Sequence, residues 1–388
     1  MLSPKPVAAA FAVAILICSA ATDGARADPP GPLWERHPGS VGADTVRGVA
    51  TDPAGNVIVV GGTTGSIGKR NAGKEDTFII RYSPAGGVLW RRQVGSTNID
   101  LPTGVAVDGS GNITVVGYTT GWLFGRAAGG TDGFVVSYTP DGTIRWKKRF
   151  ATASDDFARS IAADAAGNVV VAASEGSSRI LVRYRSDGTE VWRRVLPVHF
   201  QSPNAVAITL SGEIIVGGYT QSSLAGPNQG GADAVIAMYS SAGDAQWLRQ
   251  FGTAADDYVS GIAVAGDGAI YVSGTKMDDL QQAFLAAFSP AGEPRWKRTP
   301  GGDYSDYGWG VAVNMAGDVV LTGDKFGQPF AASYTSGGTP QWTMTLPTPS
   351  GYSVHAAFDS AGDLLLAGSL FVSNSRGFID GYLAKFAD

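Results

Sequence analysis

Short apolar runs recur along this chain with similar flanks each time: VIVV, ITVV, VVVA, EIIV, IYVS, VVLT and LLLA. Each is apolar on nearly every residue, which predicts a strand covered on both faces rather than a half-exposed one. A strand with small side chains precedes each run. In four repeats the two are joined by a polar glycine turn, DPAGN, DGSGN, DAAGN or DSAGD. Gly55, Gly111, Gly167 and Gly362 supply the positive φ that such a short hairpin demands. After the run come a loop, a third apolar strand, a second glycine turn and a fourth strand with a tryptophan, as in TFIIRYS, PAGG, VLWRRQV. The predicted unit is four antiparallel strands with two tight turns and one variable loop.

Seven tryptophans count the units. Trp34, Trp90, Trp146, Trp192, Trp247, Trp296 and Trp342 stand roughly 50 residues apart, a period that marks a propeller, a solenoid or an array. All but Trp34 follow a glycine by four positions: Gly86, Gly142, Gly188, Gly243, Gly292 and Gly338. Ala50, Ala106, Ala162, Ala207, Ala263, Ala312 and Ala357 hold one position in every first strand. Two residues before them stand Gly48, Gly104, Ser160, Ala205, Gly261 and Gly310, with His355 as the seventh. Small residues there suit blades converging on an axis. The fourth strands carry charge instead: Arg91, Arg92, Lys147 to Arg149, Arg193, Arg194, Arg249, Lys297 and Arg298. That is expected of outer edges that must not pair with other molecules. The last repeat has only three strands, and the missing fourth appears at PLWERHPG, near the other end of the sequence. The prediction is all-β: a seven-bladed beta-propeller of four-stranded blades, its ring closed by the N-terminal strand completing the C-terminal blade.

The phrases GVATDPAGNVIVVGGTT, DTFIIRYSPAGGVLWRRQVG and SDDFARSIAADAAGNVVVAAS resemble the beta-propeller repeats of exported bacterial proteins, the SBBP repeats. The resemblance runs from Leu33 to Phe386 and is best in the first, second and fifth repeats. The third repeat has a very short middle loop, and the fourth and sixth lack the aspartate of the first turn. The resemblance implies a secreted all-β ring and no single activity, so it brings no catalytic residues with it. The Gly-x-x-x-Trp turn is also similar to the blade motif of quinoprotein propellers, which supplies docking contacts between blades. The vicinal cysteines of a quinone site have no counterpart here.

The N-terminus adds an address. Lys5, the apolar stretch from Val7 to Ala21 and Ala25-Arg26-Ala27 read as a secretory signal peptide over residues 1–27. Residues 28–388 are then one propeller domain, exported to the periplasm or the exterior. The single cysteine, Cys18, falls in the leader, and the Ile17 before it is not the small residue a lipoprotein signal wants. No later run is long enough for a transmembrane helix. A net charge of −5 argues against nucleic acid, whose binders show a basic surplus.

Alternating strand direction puts the first and third turns on one face, and the blade-to-blade and middle loops on the other. The long loops, 63–76, 119–132, 220–233 and 369–380, all fall on that second face, and variable loops on a rigid scaffold are where binding residues gather. Phe157, Tyr258, Tyr307 and Tyr352 enter their first strands at one position, with Trp309 two residues beyond Tyr307. They either pack between blades or stack on a sugar or other planar ligand at the channel mouth. Arg47, Arg159 and Asn204 stand at the position of Trp309, as solvated or paired residues or as an anion site. His355 is either structural or a lone acid–base group. The pairs Asp155-Asp156 and Asp256-Asp257 can hold calcium. However, Asp44, Asp100, Asp156, Asp257 and Asp306 recur at one repeat position, which points to turn capping. Asp76, Asp132, Asp233 and Asp380 accompany long middle loops and are expected to bond loop backbone. No cofactor is predicted. The chain has no HExxH or GxSxG motif, and GGTTGSIGKR lacks the first glycine and the hydroxyl residue of a P-loop. The sequence thus reads as a monomeric exported scaffold that binds a protein or carbohydrate partner through its acidic, aromatic loop face. The alternative is an enzyme at the channel mouth: a lyase or hydrolase using His355 with nearby tyrosines, or a quinone-dependent oxidoreductase.

Overall fold

The computed structural model describes residues 28–278, 280–300, 306–346, 350–374 and 377–387; residues 1–27, with Cys18, lie outside them. Among these residues every regular element is a strand, and the strands form seven four-stranded antiparallel sheets. Blades 1 to 6 each use four consecutive strands. In blade 1 these are Asp44–Thr51, Val57–Thr63, Asp76–Tyr82 and Val88–Val94. Blade 7 is composite. Gly351–Phe358, Leu364–Asn374 and Gly377–Phe386 are joined by Pro32–Arg36 as the outer strand, with Trp34 opposite Lys385 and Arg36 opposite Leu383. The ring closes as the repeat count requires.

The apolar second strands lie in the middle of the stack, and Val57–Thr63 is buried at every residue. Core clusters bridge neighbouring sheets: Val170, Ala172 and Leu181 of blade 3 pack with Val216, Val235 and Ala237 of blade 4. Burial of each such Val or Leu side chain contributes roughly 1.5–3 kcal/mol, which is why no sheet is stable apart from its neighbours.

The outer strands latch each blade to the next. The indole Nε1 of Trp34 donates to the Pro84 carbonyl (2.9 Å), Trp90 to Pro140 (2.9 Å) and Trp146 to Ser186 (2.9 Å). Trp192, Trp247 and Trp296 repeat the contact with Ser241, Pro290 and Ser336. Two residues after five of these tryptophans stands an arginine: Arg36, Arg92, Arg194, Arg249 or Arg298. Its Nε donates to the carbonyl of the glycine in the next blade's second turn, at 2.7–3.1 Å. Its guanidinium lies 5.2–5.6 Å from the centre of its own strand's indole. Arg92, Arg194, Arg249 and Arg298, expected as guards against edge pairing, are therefore cross-blade latches. Beneath the indoles of Trp34, Trp146, Trp192, Trp247 and Trp296 the turn glycine leaves no room for a Cβ, which would come within 2.7–3.0 Å of the ring. Gly188 has φ +83, and a Cβ there would lie 2.7 Å from the Trp146 ring, whereas Gly212 (φ +91) has nothing nearer than 3.5 Å. Gly188→Ala is expected to destabilise by about 2–3 kcal/mol and Gly212→Ala by only about 1–2 kcal/mol of backbone strain. Equal losses in denaturant melts would refute the docking role.

Candidate functional site

The inner strand of every blade changes register at the same place. The shifts fall between Val46 and Gly48, Pro102 and Gly104, Ala158 and Ser160, Gln201 and Ala205, Val259 and Gly261, Gly308 and Gly310, and Tyr352 and His355. A bulge frees a residue from the ladder and re-aims its side chain. The freed residues Arg47, Thr103, Arg159, Asn204, Ser260 and Trp309 all line one central cavity of about 200 Å³, together with His355.

These side chains are held differently. Thr103 Oγ1 donates to the Ala158 carbonyl (2.6 Å) and Asn204 Nδ2 to that of Val259 (3.1 Å), each crossing to the next blade. Trp309 Nε1 donates to Asp324 Oδ2 at 2.5 Å, and its ring stacks on Tyr307 with centroids 5.6 Å apart. Burial raises the Asp324 pKa, and the Trp309 hydrogen bond offsets part of the rise. Arg159 donates from Nε to Ser174 Oγ (2.9 Å) and lies 5.1 Å above the Phe157 ring. Burial, and then the charge of Arg179, lower its pKa. Arg47 has no ion pair or hydrogen bond among the described residues, and its Nε is buried without an acceptor. His355 keeps some surface toward the cavity but is otherwise enclosed by protein. Desolvation and repulsion from Arg47 lower its pKa to about 4, so the imidazole is neutral at pH 7.

Phe157 and Tyr258 do not line the cavity. Phe157 packs edge-on against Tyr118 of the preceding blade (5.3 Å), and Tyr258 against Tyr219 (4.8 Å). The Tyr258 hydroxyl also donates to Asp256 Oδ2 at 3.1 Å, and burial, with Asp256, pushes its pKa up to about 12. All four rings stay partly exposed. The backbone of Tyr352 lies opposite Ser369; its side chain is outside the described residues.

With the blades and their docking turns in place, comparison with known families becomes specific. Residues 89–125 match the SBBP beta-propeller repeat. The chain carries the SBBP repeat. The matched SBBP segment begins in the outer strand of blade 1 at Leu89, beside the docking Trp90, and includes the bulge at Thr103. An uncharacterized WD repeat-containing protein of Acanthamoeba polyphaga mimivirus is 24% identical over 41% of this chain and 14% of its own length. The regulatory protein FlaEY of Caulobacter vibrioides is 26% identical over 54% of this chain and 19% of its own. The chain thus matches less than a fifth of either curated relative. Among solved structures, the Neurospora crassa Pan2 WD40 domain superposes with a TM-score of 0.56 at 11% identity, covering 93% of this chain and 98% of that one. The Dos1 propeller gives 0.53 at 10%, covering 92% and 96%. At such identities the likeness is one of fold.

Across the blades the recurring aspartates Asp44, Asp100, Asp156 and Asp257 are caps, accepting from the backbone N–H four residues earlier: Ser40 (2.6 Å), Ser96 (2.6 Å), Thr152 (2.5 Å) and Thr253 (2.7 Å). Asp155 and Asp256 accept from the Thr131 and Ala232 N–H groups at 2.9 and 2.8 Å, tying middle loops to blade connections. Asp76, Asp132 and Asp233 bond the loop backbone at Ala72, Ala128 and Gln229, and also the outer-strand residues Gln93, Arg149 and Gln250. Among the described residues, no three His, Cys, Asp or Glu side chains converge as a metal site.

Two loop-face residues had no signal in the repeat pattern. Trp122, in the middle loop of blade 2, is 68% exposed, with Arg126 5.9 Å from its ring; Phe326, at the corresponding turn of blade 6, is 66% exposed. The turn face exposes the aliphatic Leu210 and Met315 instead.

Proposed function

We propose that this protein is an exported scaffold that takes a protein partner on its loop face. The reading is carried by the exposed aromatics Trp122 and Phe326 on the same face as the long loops and the Tyr307–Trp309 stack. Large exposed aromatics flanked by arginine are the groups from which interface hot spots are built. A rigid ring of latched blades holds them in place without an ordering cost on binding. The leader-like residues 1–27 support action outside the cytoplasm.

The test compares faces. A partner cross-linked to the wild-type protein in its producer is identified, and its affinity is measured for Trp122→Ala, Phe326→Ala and, on the turn face, Met315→Ala. Loss of a hot-spot aromatic is expected to weaken binding about 30-fold or more, with Met315→Ala unchanged. Because Trp122 is exposed, its loss should move stability by no more than about 0.5 kcal/mol. Unchanged affinity in both loop-face variants would sink the reading.

A further inference from the structure

The central cavity has an unbalanced charge. Its lining includes Arg47, Arg159 and His355 and contains no aspartate or glutamate, in a chain whose net charge is −5. Three other interior guanidinium groups are matched to carboxylates, Arg81 to Asp52 (2.5 Å), Arg149 to Asp132 (2.5 Å) and Arg183 to Asp164 (3.1 Å), although the Nε of Arg81, Arg149 and Arg179 is, like that of Arg47, buried without an acceptor. Neither Arg47 nor Arg159 has an ion pair among the described residues, and the buried Nε of Arg47 has no acceptor. The carboxylates nearest in effect lie outside the lining. Glu75 is raised by burial and only partly lowered by Arg47, while Asp324 is held by Trp309. Burial and the charge of Arg47 keep the His355 imidazole neutral at pH 7, so the charge of the lining is that of Arg47 and Arg159. Like charges facing one small cavity are unfavourable unless an anion sits between them.

We propose that the bore is a binding site for a small multivalent oxyanion, phosphate or a short dicarboxylate, clamped between Arg47 and Arg159. Two guanidinium groups offer planar paired donors that match such oxygens. Ser160 and Ser260, also in the lining, add hydroxyls. Asn204 and Thr103 each give a donor to the next blade, which fixes the rim around the ion. A volume of about 200 Å³ admits such an ion with a few waters, each needing about 30 Å³.

The experiment is calorimetric titration of the mature protein with inorganic phosphate and, separately, malonate, at constant ionic strength against chloride. One saturable site per chain is expected for at least one of them, and the tighter of the two identifies the class. Arg47→Gln and Arg159→Gln should each weaken it at least tenfold. Arg91→Gln, on an exposed outer strand, and Trp122→Ala should leave it unchanged, which separates this site from the loop-face reading. Saturation should also shift the His355 ring resonances in NMR. Without ligand, Arg47→Gln should melt within a few degrees of wild type, because Arg47 has no ion pair or hydrogen bond among the described residues to lose, only its attraction for Glu75. Binding no tighter than chloride for both ions, binding that survives the double variant, or unfolding of ligand-free Arg47→Gln would each overturn the proposal.

Discussion

Removal of Pro32–His37 is expected to abolish the cooperative unfolding transition or lower its midpoint by more than 10 °C. The segment serves two blades at once. It supplies the outer strand of blade 7, paired along Gly377–Phe386, and its Trp34 and Arg36 reach the Pro84 and Gly86 carbonyls of blade 1. Loss of a packed tryptophan costs about 3–5 kcal/mol, and each lost cross-blade hydrogen bond adds about 1 kcal/mol. The sum is comparable to the whole net stability of a typical domain, about 5–15 kcal/mol. A synthetic peptide of the deleted sequence, added in excess, should restore part of the transition. A truncated protein with an unchanged melt would show that the ring does not depend on this closure.

Lys385→Met should destabilise by about 3–5 kcal/mol at pH 7 in denaturant titrations, because it leaves buried carboxylates without their cation. Lys385 is only 6% exposed, and its Nζ lies 2.6 Å from Asp359 and 2.8 Å from Asp363. The triple variant Lys385→Met, Asp359→Asn, Asp363→Asn should recover most of the loss; failure to recover would mean that packing, not charge, is responsible. Burial alone would depress the Lys385 pKa, but the hydrogen bonds to Asp359 and Asp363 more than offset it, and the net shift is upward. The pair's contribution is therefore complete below the unfolded value of about 10.5 and fades only as pH rises through the higher folded value. The contact varies from blade to blade, and blade 2 keeps the aspartate (Asp108) with Ser137 in place of the cation. Arg81 and Arg183 occupy the equivalent place opposite Asp52 and Asp164. Blades 4 to 6 lack both partners, with Met238, Ala287 and Ser333 facing turns that begin at Thr209, Ala265 and Asn314.

The ring itself was readable because similar surroundings recur from blade to blade: six of the seven repeat Trp side chains meet the same kind of turn, and small residues recur along the inner strands. The arginine two residues after the Trp was equally visible, but its purpose was not. A protected edge and a docking latch both want a long charged side chain, and only the position of the neighbouring carbonyl, such as Gly86, decides between them. The bulges were hidden for a related reason. Gly48 opposite Val60 is a statement about two strands, and neither sequence alone records it. Repeat alignment did place Arg47, Arg159, Asn204 and Trp309 together, yet it could not show that Thr103 and Asn204 each give a donor to the next blade while Arg47 has no hydrogen bond or ion pair among the described residues. Trp122 stands where the matching loops of blades 1 and 4 have Ser66 and Ser223, and Phe326 is likewise peculiar to its own turn, so periodicity had nothing to say about them.

The composite blade also sets a clock. Its outer and third strands meet at Pro32 and Phe386, nearly the greatest sequence separation the chain allows. Synthesis proceeds at about 5–20 residues per second, so the first strand must wait roughly half a minute for its partner. Until then the earlier blades can only stack as an open arc with two raw ends. Ring closure is accordingly the least local event in folding and the one expected to limit its rate, and any factor that shields the waiting ends would act in that interval.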